Sequence, residues 1–396
     1  MKQRQWLLDH VPYMHEELVR TFCEFFSARG TILLEAEPVV PRRDESVLFT
    51  GATIVPAKEM LEQGMIPTTG LYISQPCVRT QNLKTVAADG AGASLPYMSC
   101  FHMLGTMVSP SYYEAHVRDI LHLLFEEIRI PRERLRILGS SHQEGLLEPW
   151  RRLAPDVEVL IDTKSSSYYR WVYGMERHVG SGATFALVQE DGRLDDFGNV
   201  IQIETVSGVV AYEFGFGVET LLARIYGLPS PFTSSVIRWS LGRVGGGALP
   251  FSDALLDLIA LGCTLTNSGV LPGEGGRNSV AKKTVKLAAR LTVESDQRVE
   301  AVYAVAEQFA QTMFGSTACA ERWISELRRH VLVQANAQDR FIAYLAYQRQ
   351  MLKDFPEKTS RSYARQKIEE VRRAYHIAPQ VAEELMRMYA PSLARE

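Results

Sequence analysis

The 396-residue chain is 46% hydrophobic and sets 43 Lys and Arg against 46 Asp and Glu, a formal net charge of -3. That balance excludes nucleic-acid binding through the overall field and leaves room only for a local basic face. The length and apolar content give core enough for two or three domains.

The five cysteines, Cys23, Cys77, Cys100, Cys263 and Cys319, are odd in number, widely spaced and without Cys-x-x-Cys pairs. This argues against a disulfide framework and a thiolate zinc site, and fits a reducing, cytoplasmic setting. The N-terminus lacks the apolar core of a secretory signal, and no apolar run reaches the ~20 residues of a membrane-spanning helix.

In chain order, YMHEELVRTFCEFFSAR places Leu18, Phe22, Phe25 and Phe26 at helical spacing, with Gly30 where the helix ends. TILLEAEPVV, SVLFTGATIV, GLYISQPCVR and YMSCFHMLGTMV then read as strands. SYYEAHVRDILHLLFEEIRI returns to helical spacing through Val117, Ile120, Leu121, Leu124 and Ile128.

More strands follow: LRILGSS, VEVLID, ATFALVQ, VIQIETVSG and VVAYEFGFG, with DGRLDDFGN read as a hairpin turn. Strands in runs, not alternating with helices, imply an α+β domain with a mainly antiparallel sheet over residues 1–242. Gly245, Gly246, Gly247 and Pro250 mark a linker at 243–250, and 251–396 reads as an all-helical domain.

Two segments carry chemistry. In YEFGFGVETLLAR, Gly215 and Gly217 stand at a strand-to-helix turn, which is either a packing turn or a place where backbone approaches a flat or phosphorylated ligand. Neither a Rossmann fingerprint nor a P-loop is present. In SQPCVRTQNLK, Arg79 ends a strand, followed by the small-residue stretch VAADGAGAS and an antiparallel return PYMSCFHMLG, the outline of a nucleotide clamp.

Arg79 in this setting resembles the second signature motif of class II aminoacyl-tRNA synthetases, and EFGFGVET resembles the third. Among these the alanyl-tRNA synthetase family is the nearest in sequence. VRTFCEFFSARG, VVPRRDESVLFTGA and CFHMLGTMVSPSYYEAHVRD resemble further parts of its catalytic domain. GVLPGEGGRNSVAKKTVKLAARL and RRAYHIAPQVAEELMRMYA resemble its helical tRNA-recognition region. The family's editing portion, with its HxxxH pair, and its C-terminal extension have no counterpart here, which implies a short paralogue.

The resemblance implies that the site activates alanine or another small amino acid with ATP and transfers the aminoacyl group onward. Arg79 is then the α-phosphate ligand, because a guanidinium grips two oxygens and stays charged. Gly215 and Gly217 accept the adenosine, with Phe101, His102 and Met103 on the facing strand lining the base; the family carries glutamate at the place of His102. Glu213 stands where the family's acid receives the substrate ammonium, and Trp150, Trp171 and Val206 are further amino-acid-pocket candidates. Mg2+ accompanies ATP, held by Glu219 and Glu204, since clustered phosphate oxygens need a hard cation.

Two departures stand out. The family's motif-closing arginine is Thr220 here, and Arg224, one helical turn on, either replaces it as a catalytic cation or is a solvated helix residue. Glu274 and Gln380 stand where the family reads the tRNA acceptor stem, and its basic helix is thinned to Arg277, Lys282, Lys283, Lys286 and Arg290. Those cations are either an acceptor-region surface or an ordinary solvated face. The expected acceptor is therefore a small-molecule hydroxyl or amine, with tRNA disfavoured. A minimal tRNA ligase and a non-catalytic binding protein are the alternatives.

Overall fold

Helical spacing opens the chain and two-residue alternation follows it, and the computed structural model turns that change of period into helices packed on a sheet. It describes residues 2–42, 44, 46–164, 166–172, 175, 177–245, 251–355, 360–375, 377 and 379–394. Most of the expected glycine-rich linker, from 246 to 250, lies outside the described residues.

The elements are α1 (Lys2–Asp9), α2 (Val11–Ser27), β1 (Ile32–Leu33), α3 (Lys58–Glu62), β2 (Leu71–Val78), α4 (Asn82–Asp89), β3 (Cys100–Val108) and α5 (Tyr113–His122). Then come β4 (Leu135–Gly139), α6 (Glu144–Leu153), β5 (Glu158–Ile161), β6 (Arg170–Val172), β7 (Val179–Val188), β8 (Leu194–Thr205), β9 (Gly208–Gly217) and α7 (Val218–Ile225). The rest is helical: α8 (Val236–Gly245), α9 (Asp253–Asn267), α10 (Gly276–Glu294), α11 (Val299–Phe314), α12 (Ala318–Asp354), α13 (Arg361–Ala374) and α14 (Pro379–Tyr389). The chain divides into two units, one of residues 1–79 and 96–239, the other of 80–95 and 240–396.

In the first unit the nine strands form one sheet ordered β1-β2-β3-β9-β8-β7-β4-β5, with β6 also paired to β7. Pairs β1–β2 and β4–β5 are parallel and the others antiparallel, giving the expected α+β class. One face of the sheet carries Leu104, Val200, Phe214 and Phe216 against Phe22 and Phe26 of α2 and Val117 and Ile120 of α5. Side chains such as Phe22 and Phe214, both 0% exposed, contribute ~1.5–3 kcal/mol each relative to exposure. The opposite face is left for the site.

Three strand expectations change. Of 31–40 only Ile32–Leu33 pairs in the sheet; Pro38 has no N–H to give a ladder, and its carbonyl instead accepts the Thr50 hydroxyl at 2.7 Å. Residues 46–55 form turns, held by Thr50 N–H to Val39 O at 3.0 Å and Val78 N–H to Thr50 O at 2.8 Å. The hairpin turn shrinks, because β8 already begins at Leu194 and Asp195–Asn199 are strand.

The second unit is all helix. Every residue of α9 from Ala254 to Thr266 is buried, as a helix apolar on all sides requires. Residues 86–89, expected as the start of a small-residue loop, belong with 82–85 to the helix α4 of this unit: Leu83 and Val86 recur at helical spacing and are buried. Asn82 Nδ2 donates to the buried Asp257 of α9 at 3.0 Å, and Arg290 of α10 donates to the carbonyls of Val86 at 2.6 Å and Ala87 at 3.0 Å. None of the five cysteines forms a disulfide. No helix among the described residues is long and apolar enough to cross a membrane.

Candidate active site

Strand register decides which side chains can meet. Met103 lies opposite Gly217, Gly105 opposite Gly215, and Met107 opposite Glu213, while Asn199 and Ile201 of β8 face Gly215 and Glu213 from the other side. Because alternation repeats every two residues, these groups share the sheet face not used by the aromatic core. Neither Gly215 nor Gly217 has a positive φ. Their value is space: a Cβ on Gly215 would sit 3.4 Å from Leu104 O, and one on Gly217 would sit 3.3 Å from Thr220 Oγ1.

Over this glycine floor lies a cavity of about 240 Å³. Arg79, Phe101, Met103, Gly215, Gly217, Glu219 and Arg224 all line it, seven residues assigned from the sequence. Thr220, the position at which the resemblance leads one to expect an arginine, lines it as well.

Arg79 is fixed from behind. Its Nε donates to Gly51 O at 2.9 Å, and its guanidinium carbon lies 4.9 Å from the centre of the Phe101 ring. Arg224 reaches the same cavity from α7; its Nε donates to Asp196 O at 3.1 Å and its Nη1 is 3.8 Å from Asp195 Oδ2. Arg224 and Thr220, one helical turn apart, thus border the same cavity.

Glu219 is 7% exposed and accepts the His102 backbone N–H at 3.1 Å, and His15 Nδ1 stands 3.9 Å from it. Burial pushes its carboxyl above the ordinary value, against the nearby His15. Glu213 is an interior-strand residue, 6% exposed, accepts the Thr53 hydroxyl at 2.7 Å, and like Thr53 is not among the residues lining the cavity.

Several expected site residues go elsewhere. His102 alternates to the aromatic-core face, where its Nε2 is 2.7 Å from Ser74 Oγ, and burial lowers its pKa to about 4. It is flanked in sequence by Phe101 and Met103, which do line the cavity, so the base-lining role expected of three consecutive residues is open to two. Glu204 pairs with Ser181 and faces Val209, at the far end of β9 from Gly217, about 25 Å of strand away from Glu219. The two carboxylates are too distant to hold one ion.

Trp150 is 0% exposed and its indole N–H donates to Tyr113 Oη at 2.8 Å, a core position. Trp171 is half-buried on β6 opposite Gly180, and Val206 is 98% exposed in the β8–β9 turn; neither lines the cavity. Lining residues not anticipated include Tyr97, Met98, Asp196 and Asn199. The last two were hidden inside the supposed turn DGRLDDFGN. Among the described residues no three His, Cys, Asp or Glu side chains group as a metal site. Glu219 and Asp196 are the carboxylates on the cavity wall.

A larger hollow of about 750 Å³ in the same unit, beside Glu133, Arg134 and Asp191, has no comparable convergence. Its Arg134 guanidinium is engaged by the carbonyls of Val188, Arg224 and Ile225.

In the second unit a cleft of about 710 Å³ is lined by Lys282, Lys283, Lys286 and Arg290 of α10 and by Arg372 and Arg373 of α13. Arg277 does not line it. Glu274, also on its wall, pairs with Lys282, while Glu369 accepts from Arg372 at 2.7 Å and Arg373 at 2.8 Å. Gln380 is exposed near the start of α14.

Residues 17–181 match the family model of class II (A) tRNA synthetases. The alanine–tRNA ligase of Rhizobium johnstonii is 25% identical over 342 residues, covering 77% of this chain and 38% of that protein. That of Desulforamulus reducens is 23% identical over 373 residues, covering 84% of this chain and 41% of the other. The chain therefore spans about two fifths of the length of the curated relatives it matches. Among solved structures, the aspartyl tRNA synthetase from Entamoeba histolytica aligns at a TM-score of 0.35 and 8% identity, covering 57% of each chain. The protein carries a class II tRNA synthetase domain and is homologous to alanine–tRNA ligases across most of its length.

Proposed function

We propose that the first unit activates a small amino acid, alanine in the first instance, as its adenylate at the expense of ATP. The observation that carries this reading is the convergence of Arg79 and Arg224 on one glycine-floored cavity with Phe101 and Glu219. In the reaction the substrate carboxylate attacks the α-phosphorus and pyrophosphate leaves. Such chemistry needs positioning and charge neutralisation more than a covalent group from the protein.

Arg79 grips the α-phosphate with a guanidinium whose direction is set by Gly51 O, and Phe101 offers an aromatic face to the base. Arg224 meets the departing phosphates in place of the arginine absent at 220. Glu213 receives the α-ammonium. Glu219 and Asp196, the carboxylates on the cavity wall, would hold a magnesium ion brought with ATP, which would supply charge neutralisation on the phosphate oxygens.

For the acceptor we propose a small-molecule hydroxyl or amine. Glu274 on Lys282, and Glu369 on Arg372 and Arg373, engage three of the six Lys and Arg on the wall of the basic cleft. A phosphate backbone is held by such cations in number. The second reading, a tRNA ligase, is favoured by the cleft itself, which collects cations from two helices, and by the names of the relatives.

Exchange of labelled pyrophosphate into ATP, dependent on alanine, tests the activation. Its absence with folded protein across the small amino acids would overturn the reading. Charging of purified total tRNA, measured where exchange is robust, separates the two acceptors.

A further inference from the structure

The turn between β1 and α3, residues 50–53, serves two groups of the site at once. Gly51 O accepts from Arg79 Nε at 2.9 Å, and the Thr53 hydroxyl donates to Glu213 Oε1 at 2.7 Å. Thr53 is 3% exposed and its side chain lies over the two glycines that face each other on β3 and β9. A Cβ added to Gly105 would be 2.9 Å from Thr53 Cβ, Cγ2 and Oγ1, and one on Gly215 would be 3.5 Å from Oγ1. Thr53 therefore occupies volume that the glycines leave open. Next along this face, Met107, Ile54, Ala211 and Ile203 close it with an apolar cluster.

We propose that Thr53 is the residue that limits the amino-acid side chain accepted here, and that it does so while orienting Glu213. This rests on the adenylate-forming reading above. With the α-ammonium on Glu213, the substrate's own side chain projects along the sheet face on which Thr53 sits. Because Thr53 already packs against Gly105 and Gly215, a β-branched or longer chain directed along this face meets its Cγ2 sooner than a hydrogen or methyl group does. Thr53 thus acts as a specificity-determining and positioning residue, and the substrate class is amino acids no larger than alanine or serine.

Three substitutions separate size from hydrogen bonding. Thr53→Gly removes both, Thr53→Ser keeps only the hydroxyl, and Thr53→Val keeps the shape without the hydroxyl. Sulfamoyl-adenosine conjugates of alanine and valine, titrated by calorimetry, read selection without turnover, and pyrophosphate exchange reads it in kcat/KM. The wild-type chain is expected to favour alanine over valine by ~10- to 200-fold, the range a methylene or two commands in a tight pocket. Thr53→Gly and Thr53→Ser should cut that ratio at least ~10-fold through a gain for valine. Thr53→Val should hold the ratio and weaken both conjugates together.

A Thr53→Ser or Thr53→Gly protein that melts like wild type, binds the alanine conjugate and retains the wild-type ratio would overturn the size role. Unchanged binding of both conjugates by Thr53→Val would overturn the positioning role. If the wild-type chain binds the conjugates with no preference for alanine, the Thr53 proposal alone fails. If it neither binds them nor exchanges pyrophosphate, the adenylate reading falls first and takes this one with it.

Discussion

Polar groups are handled differently in the two units. On the sheet face of the first, each functional side chain is tied to backbone or to a buried partner: Arg79 to Gly51 O, Glu213 to Thr53, Glu219 to the His102 N–H. In the cleft of the second, charges stand on helix surfaces and answer one another, Lys282 with Glu274 and Arg372 with Glu369. Preorganised groups in a partly dry cavity can stabilise charge that develops during a reaction, without reorganising at that moment. Exposed ion pairs are worth ~0–1 kcal/mol each and exchange partners readily, so they are not preorganised in the way catalysis needs. The contrast supports the proposal that chemistry belongs to the sheet face.

The sharpest way to break that assignment is Arg79→Ala. It should lower alanine-dependent pyrophosphate exchange by ~100-fold or more, the scale of removing a preorganised charged donor. Near-normal exchange would leave the sheet face without its principal phosphate ligand.

In the helical unit the largest expected effect is on stability. A Cβ at Gly262 of α9 would run into the Trp323 indole of α12, so Gly262→Ala should destabilise by about 1–3 kcal/mol through overpacking, as measured by denaturant unfolding. A neutral result would mean that α9 and α12 separate easily.

Arg224→Ala comes next, with about a tenfold rise in KM for ATP, equivalent to ~1.4 kcal/mol. A structure with ATP in which this guanidinium points away from every phosphate would remove it from the mechanism.

Acid should then act on the sheet unit. Burial holds His102 down at about 4 and His116 down at about 3, below their ordinary 6.5. Between those values and 6.5 the unfolded chain binds more protons than the folded one, so stability rises with pH across that window and is lost as pH falls through it. Melting temperature should drop from pH 7 to pH 5, and His116→Gln should flatten the profile. A wild-type profile level over this range would contradict the buried neutral state.

The smallest effect belongs to the exposed cleft. Lys283→Gln and Lys286→Gln should alter stability by less than ~0.5 kcal/mol. If RNA is the acceptor, each lysine that neutralises a phosphate should, once replaced, also lower the salt dependence of binding by a slope of about 0.9. An unchanged slope would favour the small acceptor.

Local pattern was enough for much of this protein. The two-residue alternation of SQPCV and FHMLGTMV produced adjacent antiparallel strands, and the helical spacing of Leu18, Phe22, Phe25 and Phe26 produced α2 on the sheet. Spacing placed Arg79 at a strand end and Gly215, Gly217, Glu219 and Arg224 at a strand-to-helix turn, and the resemblance to class II synthetase motifs implied their roles; all five line one cavity. Tertiary structure decided the rest, because pairing partners and register are long-range. Register sent His102 to the face opposite Phe101 and placed Glu204 at the wrong end of β9 for Glu219. A buried Asp257 drew residues 82–89 into the helical unit as α4. Thr53, unmarked in a stretch that reads like a strand, reached Glu213 only because the chain turns there, 160 residues away in sequence. No local pattern encodes an approach of that length; it is set by which strands pair and by what the glycines between them leave open.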